Sequence, residues 1–157
     1  MFGTLNSKEI EEVLRHQIIG RIGCHAENMT YVVPISYAYD GVYIYGHTRE
    51  GMKINLMRKN PMVCFEIDEM KDMANWKSVI TWGIFEELND KTERNKALVS
   101  LIDRILPLVS SQTVHLSAHW PFISDDISTI KGIVFRIRPE EKTGRFENNA
   151  VADSFAS

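Results

Sequence analysis

Several features that usually assign a chain to a class are scarce or absent in this sequence. Among 157 residues only Cys24 and Cys64 are cysteines. Because both lie in apolar, strand-like runs, they favour reduced core thiols over a disulfide framework. No apolar run approaches the roughly 20 residues that a bilayer-spanning helix requires, and the N-terminus lacks the pattern of a signal peptide. The net charge of −3 gives no electrostatic reason to expect nucleic-acid binding. We therefore predict one cytoplasmic domain with neither membrane nor nucleic-acid partner.

Motifs of well-known catalytic sites are also missing. There is no G-x-G-x-x-G or P-loop pattern, which argues against a dinucleotide or nucleoside-triphosphate fold, and no G-x-S-x-G elbow for a serine triad. His115 and His119 have the spacing of a metal-binding pair, but the glutamate of H-E-x-x-H and an evident third ligand are lacking. We predict no metal site, and the sequence identifies no catalytic residue.

Hydrophobic patterns predict an α+β fold. Six stretches are typical of strands: residues 18–24, 31–39, 42–46, 62–67, 76–85 and 130–137. Asn6 and Glu9 have the spacing of a capping box, and Ile10, Val13 and Leu14 give the first helix its apolar stripe. A longer helix begins near Asp90 and is ended or kinked by Pro107. The first connections are too short for parallel crossovers, so we predict an antiparallel, closed or nearly closed β-barrel with flanking helices.

Local breaks in these elements are also predicted. Pro34 indicates an edge, bulge or kink in its strand, and Asp40 with Gly41 is typical of a hairpin turn. The acidic, methionine-containing residues 68–75 predict a loop, and the polar residues 148–157 predict a flexible C-terminal tail.

The stretch 41–68 combines a strand, a polar turn and a short helix. Gly51 opens the helix, and Asn60 followed by proline ends it. The first N–H groups of a helix lack internal partners and favour anions. Thr48 offers a hydroxyl there, and Arg49 and Lys53 offer positive charges that could bind a phosphate. The alternative from the residues alone is a solvated turn with ordinary surface cations.

These pieces occur in a specific order. The run VVPISYAYDGVYIYGHTREGMKINLMRKNPMVCFEID is followed by NWKSVITWGIFEEL. In this order the chain resembles the pyridoxamine 5′-phosphate oxidase-like flavoproteins, and the branch it resembles most is that of the nitroimidazole-resistance proteins. The resemblance covers roughly residues 18–106. It implies a six-stranded antiparallel split β-barrel, a single domain over residues 1–147, the cofactor FMN, and a homodimer with the flavin site at the subunit interface.

The resemblance also implies roles for particular residues. Lys53 matches a phosphate-binding lysine, and His47 and Thr48 match turn residues beside the phosphate and the ribityl chain. A tryptophan, Trp76 or Trp120, would come from the other subunit. The full set of implied cofactor-binding residues is Pro34, Ile35 and Ser36 on the strand behind the isoalloxazine ring, His47, Thr48, Arg49, Gly51 and Lys53 around the turn, and Trp76, Ser78 and Val79 on the later strand.

The function implied is that of an FMN-dependent oxidoreductase that passes electrons from reduced flavin to a small acceptor, with nitroaromatics as one candidate class. The C-terminal tryptophan and arginine arrangement of the true oxidases is not reproduced, so pyridoxamine phosphate oxidation is not expected. The alternatives are a flavin carrier or sensor, a haem-binding barrel with His115 or His119 as axial ligand, and a ligand-free dimeric scaffold.

Overall fold

The computed structural model describes residues 1–109 and 126–149, in which one antiparallel sheet is combined with three α-helices. The strands are β1 (Phe2–Thr4), β2 (Ile19–Ala26), β3 (Met29–Ser36), β4 (Ala38–Tyr39), β5 (Ile44–Thr48), β6 (Met62–Asp72), β7 (Asn75–Glu87) and β8 (Ile133–Glu147). The helices are α1 (Ser7–His16), α2 (Met52–Lys59) and α3 (Lys91–Val109), with a 3₁₀ turn at Ile127–Thr129. The predicted α+β class is confirmed.

The prediction of six strands is wrong, since the described residues form eight. Strand β1, which pairs with β8, has only three residues, too few to show a hydrophobic period. The predicted strand 31–39 is divided into β3 and β4 because Tyr37 leaves the ladder. Its N–H donates to the carbonyl of Ile18, and its hydroxyl donates to the carbonyl of Leu14 on α1. Tyr37 is buried, so packing against α1 overrides strand continuity there.

Two strands extend well beyond their predicted ends. Strand β6 continues into residues 68–75, which were predicted as a loop, and ends at Asp72, whose carboxylate accepts the hydrogen bonds that close the turn. Strand β8 runs to Glu147 and passes Pro139 near a register shift against β7. Both extensions are mostly polar, and many of their residues are exposed, so composition did not indicate strands. They are held in the sheet by pairing with neighbouring strands.

Strand β8 holds together the two halves of the sheet. The strand order is β3-β2-β6-β7-β8-β5-β4, and β1 pairs with the C-terminal part of β8. The ends of this order curl toward each other, so that Cα atoms of β3 and β5 come within 8 Å. Among the described strands no hydrogen-bonded ladder joins those ends. The barrel is therefore split, as the resemblance implied.

Helix α1 is anchored by the predicted capping box. The side chain of Asn6 accepts a hydrogen bond from the N–H of Glu9 (3.0 Å), and the Glu9 carboxylate accepts one from the N–H of Asn6 (2.8 Å). The predicted apolar stripe Ile10, Val13 and Leu14 is buried in the main core. The helix therefore covers the sheet on the side that also receives α2.

The other two helices end differently from one another. Helix α2 ends as predicted, since the N–H of Asn60 donates to the carbonyl of Leu56 at the C-cap. Helix α3 continues past Pro107 to Val109, so this proline does not end the helix. Leu98 of α3 is buried in a second core, shared with β4, β5 and β8.

Some predictions fall on parts of the chain that the structure does not describe. His115, His119 and Trp120 lie outside the described residues, as does most of the predicted tail, residues 150–157. At the start of that tail, the N–H of Asn148 donates to the carbonyl of Met1 (2.8 Å). None of the described helices is both long enough and apolar enough to cross a membrane.

Candidate functional site

The predicted strand, turn and helix start are present between β5 and α2. Thr48 ends β5, paired with Ile133 of β8, and Gly51 is the N-cap residue of α2. Within the described chain no side chain caps this helix, and its first turn carries no acidic residue. A Cβ built at Gly51 would meet no atom within 4 Å. The start of α2 therefore has open space at Gly51 and no side-chain cap, so an anion could bind to its first N–H groups.

Lys53 brings a partly buried positive charge to the first turn of α2. Burial lowers the pKa of its amine, and the nearby thiol of Cys24 offsets this only in part. No carboxylate of the described residues lies within ion-pair distance of Lys53. Burying a cation without a counter-ion is unfavourable. An anion bound next to Lys53 would therefore offset the unfavourable free energy of burying this cation.

The other two charged residues of the turn differ in their surroundings: Arg49 faces solvent, and Glu50 belongs to an ion-pair cluster. Arg49 is exposed. Glu50 forms a two-pronged ion pair with Arg58 of α2, with both N···O distances 2.9 Å. Arg58 forms a second such pair, also at 2.9 Å, with Glu87 at the end of β7, and this pairing lowers the pKa of Glu87. This cluster could not be predicted from the sequence, because Arg58 and Glu87 are 29 positions apart in the chain.

His47 is held by the segment that leads into β8. Its Nε2 lies 2.6 Å from the carbonyl oxygen of Lys131, so Nε2 carries the proton and donates. Burial lowers the pKa of His47 despite this hydrogen bond, and the charges of Arg94 and Arg49 lower it further. The imidazole is therefore neutral at pH 7. It supports the turn next to Thr48 without adding a positive charge.

Two further residues, Gly132 and Arg94, hold the segment that contacts His47, and neither was predicted from the sequence. Gly132 has a φ of +105°, and a Cβ there would lie 2.7 Å from Nε2 of His47, so only glycine suits the position. Arg94 of α3 donates to the carbonyl of Ile130 (2.6 Å) and to that of Gly132 (3.3 Å). The predicted strand 130–137 therefore starts three residues too early, since β8 begins at Ile133, and a glycine inside that predicted strand was the visible sign of the turn.

The predicted residues of β3 lie at the edge of the split. Pro34 is paired in register with Arg21 on a strand that ends the sheet order, which confirms the edge position expected of a proline. Pro34 and Ser36 are exposed, whereas Ile35 packs against the main core. Because β3 and β5 approach each other, the structure brings this strand toward the one that ends at Thr48.

The three predicted residues of β7 have partners on other strands. Trp76 donates through Nε1 to the carboxylate of Glu147 on β8 (3.2 Å), and the Ser78 hydroxyl donates to Glu66 on β6 (2.9 Å). Val79 is fully buried in the main core, so its side chain does not reach the surface. The turn, in contrast, follows β5. Within one subunit the structure does not bring Trp76 and Ser78 into a common cluster with Lys53.

An apolar groove crosses the outer face of the sheet. Strand register places Val32, Gly23, Cys64 and Trp82 in one row across β3, β2, β6 and β7. A Cβ at Gly23 would lie 2.6 Å from the sulfur of Cys64, which is a free thiol as predicted. The groove has a volume of about 570 Å³, and Val32 and Met62 on it are 63% and 69% exposed. The outer face of the sheet thus carries exposed apolar side chains around this groove.

Metal binding receives no support from the described residues, which contain no group of three or more histidine, cysteine, aspartate or glutamate side chains that could hold an ion. The candidate pair His115 and His119 lies outside them.

Comparisons with known proteins agree with this architecture. An uncharacterised protein of Rhizobium meliloti (strain 1021), RA0666, is 34% identical over 84 residues, which make up 54% of this chain and 56% of that protein. The chain thus aligns with about half the length of that curated relative. Among solved structures, an FAD-binding protein from Mesorhizobium loti has a TM-score of 0.74 and 29% identity, with 94% of this chain and 99% of that chain covered.

A protein from Bacteroides thetaiotaomicron that was proposed to confer 5-nitroimidazole antibiotic resistance has a TM-score of 0.70, with 93% of this chain and 87% of that chain covered. At 19% identity this likeness shows the shared fold. The sequence model of the pyridoxamine 5′-phosphate oxidase family matches residues 6–146, which confirms the resemblance drawn from the sequence. The chain belongs to the pyridoxamine 5′-phosphate oxidase family.

Proposed function

We propose that this protein binds a flavin, FMN, through the turn between β5 and α2 and acts as a flavin-dependent oxidoreductase on a small acceptor. The observation that carries the proposal is Lys53, a partly buried cation that has no carboxylate partner among the described residues and stands at an uncapped helix start. Family membership supports the same ligand class, because the Mesorhizobium loti protein of the same fold binds a flavin.

The residues of the turn fit a phosphate group. Lys53 and Arg49 would supply two positive charges, the hydroxyl of Thr48 and the first N–H groups of α2 would donate hydrogen bonds, and Gly51 leaves room for close approach. Neutral His47 would hold the turn in place through Lys131. When bound, the flavin supplies the redox chemistry, while the protein binds and orients it.

The flavin ring would lie along the edge strand β3. Pro34, Ile35 and Ser36 follow one another on this strand, which curls toward β5. Trp76 and Ser78 stand on another part of the sheet, so they would complete a site only if a second subunit supplies them. In this arrangement a small planar acceptor, with nitroaromatics as one class, would stack on the exposed face of the ring.

FAD is the second candidate ligand, because the Mesorhizobium loti protein is an FAD-binding protein and is 29% identical to this chain. Both flavins carry a phosphate on the ribityl chain, so Lys53 would serve either one. They differ in what lies beyond that phosphate.

A homodimer is the expected state in solution, with the apolar groove across β3, β2, β6 and β7 buried between the subunits. Sedimentation equilibrium should give a mass twice the 18.0 kDa of one chain. Replacing Val32 by glutamate should shift the protein toward monomer, because a charge in the middle of an apolar interface is costly. The same substitution at Val99, which is 41% exposed on α3, is the matched control. A monomeric parent that is fully loaded with flavin would exclude a site shared between subunits.

The absorption spectrum of the purified protein, with identification of the released chromophore, tests the ligand. Bound flavin should give its visible absorption bands, and reduced protein should then be reoxidised by members of an acceptor panel that includes nitroaromatics. A Soret band would instead indicate the haem-binding alternative. A protein that is colourless as purified and stays so after addition of FMN, FAD or haem would indicate a scaffold and overturn the proposal.

A further inference from the structure

Arg58 is bound by two carboxylates at once, and one of them belongs to the turn. Its guanidinium donates to Glu50 through Nη1 and Nη2 and to Glu87 through Nε and Nη2, with all four N···O distances at 2.9 Å. Planar, two-pronged pairs of this kind fix the orientation of both partners. Glu87 lies at the end of β7, so the cluster joins the turn to the sheet.

The carboxylate of Glu50 is close in sequence to the start of α2. It immediately precedes Gly51, the N-cap residue of a helix that has no side-chain cap among the described residues. A carboxylate near a helix N-terminus is attracted by the unpaired N–H groups and by the helix dipole. Glu50 is therefore the anion of this chain that is closest in sequence to the place where a phosphate would bind, and it could compete for that place.

Arg58 draws that carboxylate in the opposite direction. It lies in the last turn of α2, and helical side chains lean toward the N-terminus of their helix, which lets the guanidinium meet Glu50 alongside the helix. The second pair with Glu87 keeps the guanidinium from following Glu50 if that residue moves. Among residues 1–109 and 126–149, the turn therefore presents Arg49 and Lys53 without an ion-pair partner, while Glu50 is paired with Arg58.

We propose that Arg58 is a positioning residue that withholds the Glu50 carboxylate from the start of α2 and so keeps the anion site available to the flavin phosphate. This inference rests on the proposed function, because it concerns the phosphate of a bound flavin. It predicts that Arg58 affects flavins that carry a phosphate and has little effect on riboflavin, which has none.

Titrations of the apoprotein with FMN and with riboflavin, followed by flavin fluorescence, test this role. Arg58→Gln should weaken FMN binding about fivefold, the scale of a single helix-terminus charge effect, and should change riboflavin binding less than about twofold. Adding Glu50→Gln to that variant should restore FMN binding, because the competing carboxylate is then gone. Arg58→Lys should restore it in part, since an ammonium keeps the charge but not the two-pronged geometry. Lys59→Gln is the matched control, because Lys59 is the next residue of α2 and pairs with Glu27, away from the turn.

The possible outcomes distinguish a failure of the role of Arg58 from a failure of flavin binding itself. Equal losses for FMN and riboflavin, or a double variant that stays as weak as Arg58→Gln, would mean that Arg58 acts through the fold, and the inference would be overturned. The inference is also overturned if the parent binds FMN more tightly than riboflavin and Arg58→Gln changes neither affinity. If the parent binds neither flavin, the proposed function fails and this inference fails with it. Thermal unfolding of each variant shows whether the fold is intact.

Discussion

Replacing Lys53 by alanine is expected to weaken FMN binding roughly ten- to hundredfold while leaving the protein folded. The substitution removes one charge-assisted contact to the phosphate, which is on the order of 1.5–3 kcal/mol. The stability of the fold should not decrease, because burial lowers the pKa of Lys53. A lowered pKa means that the charged amine is less favourable in the folded protein than in the unfolded chain, so its removal costs no folding stability. The measurement is a titration of the apoprotein with FMN, beside a thermal unfolding curve.

Two comparisons make the Lys53→Ala result specific. Riboflavin affinity should change little, because riboflavin lacks the phosphate that Lys53 would contact. Lys59→Ala, on the same helix but paired with Glu27, should leave FMN affinity near that of the parent. If Lys53→Ala bound FMN as tightly as the parent, Lys53 would not contact the phosphate, and the exposed Arg49 would become the next candidate, since Arg21 is already paired with Glu66 and Asp68.

The same Lys53 also predicts a proton effect. In the free protein, burial lowers the pKa of the amine, and a phosphate beside it would raise that pKa again. FMN affinity should therefore decline as the pH rises through the lowered pKa of the free amine, and this decline should be absent in Lys53→Ala. The measurement is the FMN affinity of the parent and of Lys53→Ala, each titrated over a range of pH.

Those parts of the fold that depend on neighbouring residues could be predicted from the sequence. The capping box of Asn6 and Glu9, the hairpin at Asp40 and the end of α2 at Asn60 each depend on contacts within a few positions. Local chemistry determines such features almost alone. The strand, turn and helix start of the candidate site belong to the same class, and for this reason that part of the site was visible.

Features that depend on distant partners could not be predicted in the same way. Strand β1 exists only because β8 offers it a free edge. Tyr37 divides β3 from β4 because its hydroxyl finds a carbonyl of α1, which precedes it by more than twenty residues. In the polar ends of β6 and β8, pairing across the sheet decides the structure, and composition alone indicates a loop.

The candidate site shows the same division. The cations of the turn, Arg49 and Lys53, lie only four positions apart in the sequence. The arginine that pairs with Glu50, in contrast, is held by Glu87 at the end of β7. The hydrogen bond of His47 to Lys131 likewise joins residues that only the fold brings together. No periodicity in the sequence connects such pairs, so the electrostatics of the turn had to come from the structure.

FMN is expected to bind at least about tenfold more tightly than FAD, a difference of roughly 1.4 kcal/mol. The terminal phosphate of FMN carries close to two charges and several acceptor oxygens, which suit Arg49, Lys53 and the open N-terminus of α2. In FAD the same phosphorus belongs to a diphosphate bridge with less charge at that point. The chain also has no glycine-rich fingerprint to bind a pyrophosphate.

The opposing argument comes from the structure and from the comparisons. Gly51 opens onto free space, so an adenosine could leave the turn without a clash, and the Mesorhizobium loti protein of this fold binds FAD. Competition between FMN and FAD for the apoprotein decides between these arguments. If the charge of the phosphate terminus sets the preference, Lys53→Ala should narrow the ratio of the two affinities as well as weaken both. Equal affinities in the parent would mean that the turn does not distinguish a terminal phosphate from a bridging one. A preference for FAD would mean that the protein also binds the adenosine, at a site on the open side of Gly51.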